Sequence, residues 1–261
     1  MVRHGGVRLG AIVFSLLMSG CAASRTFQPE VDVFPFDEGA LVCEQVNHRR
    51  PNIMSFRSLA ESTVTAGNET ISFRYVIVGR DPDQLRIDLL PTEGAFTLGM
   101  LVSRDGTTRV LNTQDKTFSE SSDSSALIEQ FLGLRGFSPT IIEALVTGIA
   151  PQFDCSDVRV YRERKGETII YSVADRVAWV IADDSGRVNS FDVLSPDSDV
   201  VQVAGALYYS GNQTPASMSL SVFEPHEAHG VLLFKKVNLN TTIADEIFDV
   251  PVPPSFSRVD G

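Results

Sequence analysis

The chain has 261 residues, 43% of them hydrophobic, and carries 22 basic against 33 acidic side chains for a net charge of −11. That balance disfavours nucleic acid as a partner and offers no polybasic patch for anionic lipid heads, while the apolar content suffices for a sizeable core. Four histidines and three cysteines leave little material for metal or nucleophile chemistry.

Arg3 and Arg8, with no acidic residue nearby, precede a nearly continuous apolar run from Leu9 to Met18, the layout of a secretory signal. The run is shorter than the ~20 apolar residues that a membrane-spanning helix needs. Leu17-Met18-Ser19-Gly20-Cys21 resembles the lipobox of bacterial lipoproteins, with Met18 where Leu is usual. Small side chains there let a peptidase hold the extended backbone, and a Cys thiol accepts the diacylglyceryl group. The resemblance implies a signal peptide over residues 1–20, lipidation of Cys21, and acyl chains that anchor the protein to a membrane. Ala22 follows the Cys instead of the Asp of an inner-membrane retention signal, so the implied address is the periplasmic face of the outer membrane. The competing reading is a plain signal peptide cut nearby. Loss of residues 1–20 removes two arginines and no carboxylate, which takes the charge from −11 to −13.

Residues 21–36 read as the lipidated N-terminus and a tether punctuated by Pro29 and Pro35, on which a single domain, residues 37–261, stands off the membrane. Asp37 to His48 is an expected short helix, stopped by Pro51. From Ser55 the hydrophobic period becomes two. Expected strands run from Phe56 to Thr65, Thr70 to Val78, Leu85 to Leu90 and Phe96 to Val102, separated by turn signals such as Asp81-Pro82-Asp83. Asp123 is an N-cap candidate for a helix with the stripe Leu127, Ile128, Phe131 and Leu132. Pro139 opens a second helix bearing Ile141, Ile142, Leu145 and Val146. Strands resume at Val158–Arg162, Thr168–Val173, Val177–Ala182, Val188–Leu194, Val200–Tyr209, Ser217–Phe223 and Val231–Leu239. About eleven strands with an inserted helical pair give a mainly β fold with inserted helices (α+β), one antiparallel sheet apolar on one face and wet on the other.

Catalytic signatures are missing. "EPHEAHG" holds His226 and His229 around Glu227, but three residues apart and between Pro225 and Gly230, so it reads as a hairpin loop and not as the H-E-x-x-H zinc helix. The acids Asp183-Asp184, Asp197 and Asp199 sit at turns, where Asp serves turn geometry. There is no nucleophile elbow and no phosphate-binding loop. No catalytic residue, metal or cofactor is expected. Cys43 and Cys155 form an even pair in an oxidising compartment: either they are bridged, or they are two buried thiols.

The run "SFRSLAESTVTAGNETISFRYVIVGRDPDQLRIDLLPTEGAF", the helices of "LIEQFLGLRGFSPTIIEALVTGIAP" and the ending "EIFDVPVPPSF" resemble the LolA/LolB group of lipoprotein carriers, above all its LolB-like lipoproteins, from about Ser55 to Phe256. The resemblance implies a half-open antiparallel β-barrel with a helical lid, whose concave face holds the acyl chains of lipids or lipoproteins received from a periplasmic carrier protein. Ile71, Phe73, Tyr75, Ile77, Leu85, Ile87, Leu89, Leu98, Met100 and Trp179 are placed to line that face, opposite Leu127, Phe131, Ile141 and Leu145 on the lid. The alternative is that the same residues fill a solid core and the acidic exterior serves as a docking module. In the LolB branch of the group an apolar residue sits on a protruding loop between early strands. Here that position falls at Leu89 to Phe96, with Pro91-Thr92-Glu93-Gly94 polar and Phe96 as the apolar candidate.

Overall fold

The computed structural model describes residues 25–28, 32–80, 84–94, 96–162, 167–183, 185–211, 214–223 and 227–259. Residues 1–20, Cys21 and its lipobox, the turns Asp81-Pro82-Asp83 and Lys165-Gly166, Asp184 and Glu224 to His226 lie outside the described residues.

Two short strands come first, β1 (Arg25–Thr26) and β2 (Asp32–Val33), then helix α1 (Phe36–Arg49). A meander follows: β3 (Ser55–Ala66), β4 (Glu69–Arg80), β5 (Gln84–Pro91), β6 (Gly99–Arg104), β7 (Thr107–Asn112) and β8 (Thr117–Ser121). Helices α2 (Ser124–Leu132) and α3 (Pro139–Thr147) lead to β9 (Val158–Arg162), β10 (Thr168–Ser172), β11 (Val177–Ile181), β12 (Val188–Leu194), β13 (Val200–Tyr208), β14 (Ser217–Val222) and β15 (Ala228–Leu239). A 3-10 turn at Asp245–Ile247 and β16 (Ser257–Arg258) end the described chain.

All described strands belong to one sheet ordered β16-β8-β7-β6-β5-β4-β3-β15-β14-β13-β12-β11-β10-β9-β2, with β1 added beside β13. Every pairing is antiparallel except β16 on β8. The two meanders are joined where β15 runs along β3 from His229↔Thr65 to Leu239↔Phe56. The sheet does not close, since β2 and β16 are its two ends, and the molecule is an open half-barrel with its helices on the concave side. Its curl is helped by Gly205 on β13. The ring of Phe191 on β12 lies so flat over its directly opposed partner that an added Cβ would fall 2.2 Å from the ring.

Both lid helices form where their caps dictate. Asp123 accepts a hydrogen bond from the Ala126 amide at 3.1 Å and Ser138 accepts one from Ile141 at 3.2 Å, while Gly133 and Gly148 end the helices in the left-handed region. Leu127, Ile128, Ile141, Ile142, Leu145 and Val146 are buried against the sheet. Helix α1 covers the β9 half instead. Cys43 on α1 is bonded to Cys155 with Cα atoms 5.7 Å apart, and Asn47 exchanges hydrogen bonds with the Phe153 backbone at 2.9 and 3.0 Å.

The outer face is dry in two places. Over β4, β6 and the tail, Val78, Val102, Ile243 and Phe248 form a cluster. Arg80, Arg86 and Arg109 donate to the carbonyls of Ile243, Ile247 and Val250, so a ladder of arginines straps the proline-rich tail to the sheet. Over β9 to β12, Tyr161, Ile169, Tyr171, Ala178 and Leu194 form the second cluster, joined by Phe27 from the N-terminal segment.

Three expectations need correction. Residues 21–36 are not a free tether over their described part, because β1 and β2 pair with β13 and β9. Strands β7 and β8 were not anticipated, because their inward positions include Thr108 and Ser119, which a hydrophobic period does not register. Thr108 is satisfied locally, its hydroxyl bonded to Ser103 at 3.0 Å and Ser124 at 2.7 Å. The C-terminal β16 pairs through two residues only, too few for any periodic signal.

Tyr209 joins the lid to the sheet by donating to the carbonyls of Gly148 and Val188 at 3.1 and 2.5 Å. Burial pushes its pKa far above the ordinary tyrosine value, with Arg187 opposing the shift and Asp183 adding to it. The folded state therefore holds this proton more tightly than the unfolded chain, whose tyrosines ionise near pH 10. The stabilisation is whole below about pH 10 and is lost as the pH rises beyond it. Thermal melts between about pH 8 and about pH 11 should show Tm falling at the alkaline end, less steeply in Tyr209→Phe. At neutral pH that variant should be about 1–3 kcal/mol less stable, because two carbonyls lose a donor.

Candidate functional site

The inward residues of β3 are Phe56, Ser58, Ala60, Ser62, Val64 and Ala66, as its burial alternation shows. Small side chains in the middle of this strand leave room beneath the lid. The space is a cavity of about 800 Å³ between the concave face of β3 to β8, β14 and β15 and the helices α2 and α3. That volume lies within the range typical of sites for small ligands.

Nine of the residues expected at an acyl site line this cavity: Ile71, Phe73, Tyr75, Ile77, Ile87, Leu89, Leu98, Phe131 and Leu145. Phe131 reaches over Gly99, where an added Cβ would stand 3.0 Å from its ring, so the glycine makes the space that the lid residue uses. Leu85, Leu127 and Ile141 are buried in the core behind the wall and do not line the space. Met100 is on the other face: it is directly opposed to Asp88 and packs with the outer cluster of Val78 and Val102. Trp179 is only 1% exposed and packs on Phe191 with ring centroids 5.8 Å apart, in the half of the barrel that is solidly filled.

Phe96 is 58% exposed beyond the end of β5. The loop before it is held by Arg74, which donates to the carbonyls of Pro91, at 2.9 Å, and Gly94.

Sequence reading missed the far wall. Met218, Leu220 and Val222 on β14, Leu232 and Phe234 on β15, and Leu134, Phe137, Ile142 and Val146 from the lid also line the cavity. The alternation on β15 is hidden because Val231 and Leu233 are outward-facing and apolar too.

The wall is mostly apolar, with Ser62, Tyr75 and Ser119 as polar groups within it and Asn112, Asp115, Thr117, Glu129, Gln130, Arg135 and His229 also along the lining. The Tyr75 hydroxyl lies 3.5 Å from the Ser62 hydroxyl. Burial raises the Tyr75 pKa and the Ser62 hydrogen bond only partly offsets that, so the phenol is neutral at physiological pH. Charges stay at the rim, where Arg135 pairs with Glu129 at 3.2 Å. His229 bonds Ser221 at 3.1 Å and Glu227 at 3.3 Å, which resembles a Ser–His–acid chain in composition. Ser221 and His229 are directly opposed on β14 and β15, so register alone brings them together, and His229 and Glu227 are well exposed. Among the described residues no cluster of His, Cys, Asp or Glu is placed to hold a metal ion. Such a site can sequester a flexible apolar chain by burial.

No protein-family model matches the chain, and no curated protein matches it in sequence. Solved structures do match in shape. An outer-membrane lipoprotein-sorting protein domain from Vibrio parahaemolyticus superposes with a TM-score of 0.58 at 10% identity, over 82% of this chain and 97% of that one. A DUF1329 family protein from Desulfovibrio piger gives 0.57 at 13% identity, over 82% and 97%. A LolA superfamily protein from Nitrosomonas europaea gives 0.54 at 14% identity, over 80% and 96%. The open sheet, the helical pair inside it and these superpositions together identify the architecture as a LolA/LolB-like fold.

Proposed function

We propose that this protein binds the acyl chains of a lipid or lipoprotein in the cavity between sheet and lid, as a non-enzymatic component of envelope trafficking. The observation that carries this reading is an apolar space of about 800 Å³ in a LolA/LolB-like barrel. A filled-core docking module is less well supported, since the core under β3 to β8 is not filled. Transfer needs no nucleotide. Each buried methylene contributes about 0.8 kcal/mol, so ten of them supply roughly 8 kcal/mol before ordering costs, which suits reversible exchange. The lipobox-like segment supports acylation of Cys21 and a place on the periplasmic face of the outer membrane, where a periplasmic carrier would deliver cargo. Exposed Phe96, on its Arg74-braced loop, is suited to meet that carrier or the bilayer.

The test uses soluble Cys21→Ser protein from a bacterial periplasm, with native mass spectrometry for co-purified lipid and a fluorescent fatty-acyl probe for affinity. Bound acyl species are expected. Phe131→Asp places a carboxylate in the apolar wall and should weaken the probe at least about tenfold. A folded protein that carries no lipid and takes up no probe overturns the proposal.

A further inference from the structure

The N-terminal segment is fastened to the domain at several points. Arg25 and Thr26 oppose Val201 and Val200 on β13, and the Phe27 amide donates to the Asp199 carbonyl at 2.8 Å. The Phe27 ring stacks on Tyr171 at 5.8 Å and meets Tyr161 edge-on at 6.3 Å. Arg25 pairs with Asp192 at 3.3 Å. Further on, the Phe34 amide donates to Val160 at 3.1 Å and the Arg162 guanidinium lies 4.9 Å from the centre of the Phe34 ring.

These contacts put Arg25 at the outer face of the β9 to β13 half, beside a groove of about 550 Å³ walled by Ile169, Val180, Asp192, Ala204 and Ala206. The acyl cavity is on the opposite face: its wall runs from β8 across to β14, the neighbour of β13, and β4 in the middle of that wall is four strand spacings from β13, about 19 Å measured along the sheet.

Only Ala22, Ala23 and Ser24 separate Cys21 from Arg25, a reach of roughly 14 Å at full extension. A domain of this size has a radius of gyration of about 18 Å. The leash is thus shorter than the body it holds. A free tether as far as residue 36 would reach roughly 50 Å and impose no orientation.

We propose that residues 25–28 and 32–34 form a docked strap that turns the outer face of the β9 to β13 half onto the phospholipid surface and leaves the acyl cavity open to the periplasm. This rests on the reading of Cys21 as the anchored residue. The partner of the groove face is the membrane itself, held against it by the shortness of the chain that joins them.

The test attaches the anchor chemically, so that it does not depend on native acylation. Because Cys43 and Cys155 are bonded to each other, Cys21 is the one remaining thiol of the three cysteines and couples to a maleimide phospholipid. The chain from Cys21 onward keeps every contact described above. It is mounted on phosphatidylcholine nanodiscs containing a gadolinium-chelating lipid, and methyl NMR reads proximity to the surface. Signals of Ile169, Val180 and Ala204 should lose several-fold more intensity than those of Ile71 and Leu134. Freeing the strap with Arg25→Ser and Phe27→Ser together should abolish the difference while the Ile142 core signal keeps its shift. Equal broadening in the unaltered chain, stronger broadening at Ile71 and Leu134, or no effect of the double substitution overturns the strap. Acylation is read separately, as the intact mass of the protein extracted from bacterial membranes: a diacylglyceryl adduct supports the anchor, and an unmodified Cys21 overturns it whatever the nanodiscs show.

Discussion

Replacing Cys43 and Cys155 together with alanine should lower the free energy of unfolding by about 5 kcal/mol, because the bond closes a loop with a sequence separation of 112 in the unfolded chain. Domains are typically stable by about 5–15 kcal/mol, so this loss is a large part of the whole. Alanine is the better substitution, since Cys43 is fully buried and a serine there would add an unpaired hydroxyl to the loss. Urea denaturation of oxidised wild type and the double variant gives the difference directly. A change below about 1 kcal/mol would contradict the chain-entropy account. The bond secures α1 over the β9 half, while the apolar cavity is walled by β3 to β8, β14, β15 and the helices α2 and α3, so any folded fraction of the variant should keep its affinity for the acyl probe.

The second large effect is expected at Trp179. Trp179→Ala should cost about 3–5 kcal/mol, the range for removing a large aromatic from a closed core. Its indole nitrogen has no hydrogen-bond partner among the described residues, so the loss is one of packing against Phe191 and its neighbours. Acyl-probe affinity should stay within about twofold of wild type, because the residue does not line the cavity. Phe131→Asp should show the reverse pattern, with large loss of binding and small loss of stability. If Trp179→Ala instead abolishes binding while the protein stays folded, the partition of the barrel into a filled and an empty half is wrong. Trp179 is also the only tryptophan, so its fluorescence reports unfolding and should be nearly silent to ligand.

What could be read from the sequence follows from what burial does to a pattern. On β4 and β5, Ile71, Phe73, Tyr75, Ile77, Ile87 and Leu89 recur at every second position, opposed by Ser72, Arg74, Arg86 and Asp88, and they lie on the concave wall. The helical pair was legible from its caps and stripes, while the half-open barrel was implied by the resemblance to the LolA/LolB group and not by the pattern of residues. Met100 was misplaced because Leu98 precedes the strand, so that Gly99, opposed to Leu89, is the inward residue and the parity shifts by one. Trp179 was misplaced for a different reason: inward positions over a filled half and over an empty half are equally apolar. Which half is empty depends on Ser58, Ala60 and Ser62, whose small size matters only once the lid is known to lie opposite. The strap was invisible because two-residue strands have no period, and Phe27 was one aromatic among polar neighbours.

The pairing of β16 with β8 has a practical consequence. The Val259 amide donates to the Phe118 carbonyl at 2.9 Å, and Val259 itself lines the apolar cavity. Whatever is fused after Val259 therefore begins its path at the cavity. An affinity tag or fluorescent protein placed there shares that space with the ligand and with any delivering carrier, and an assay on such a fusion measures obstruction together with affinity. A reporter inserted at the tip between β6 and β7, where Asp105 and Gly106 make a tight turn outside the cavity lining, leaves the cavity clear.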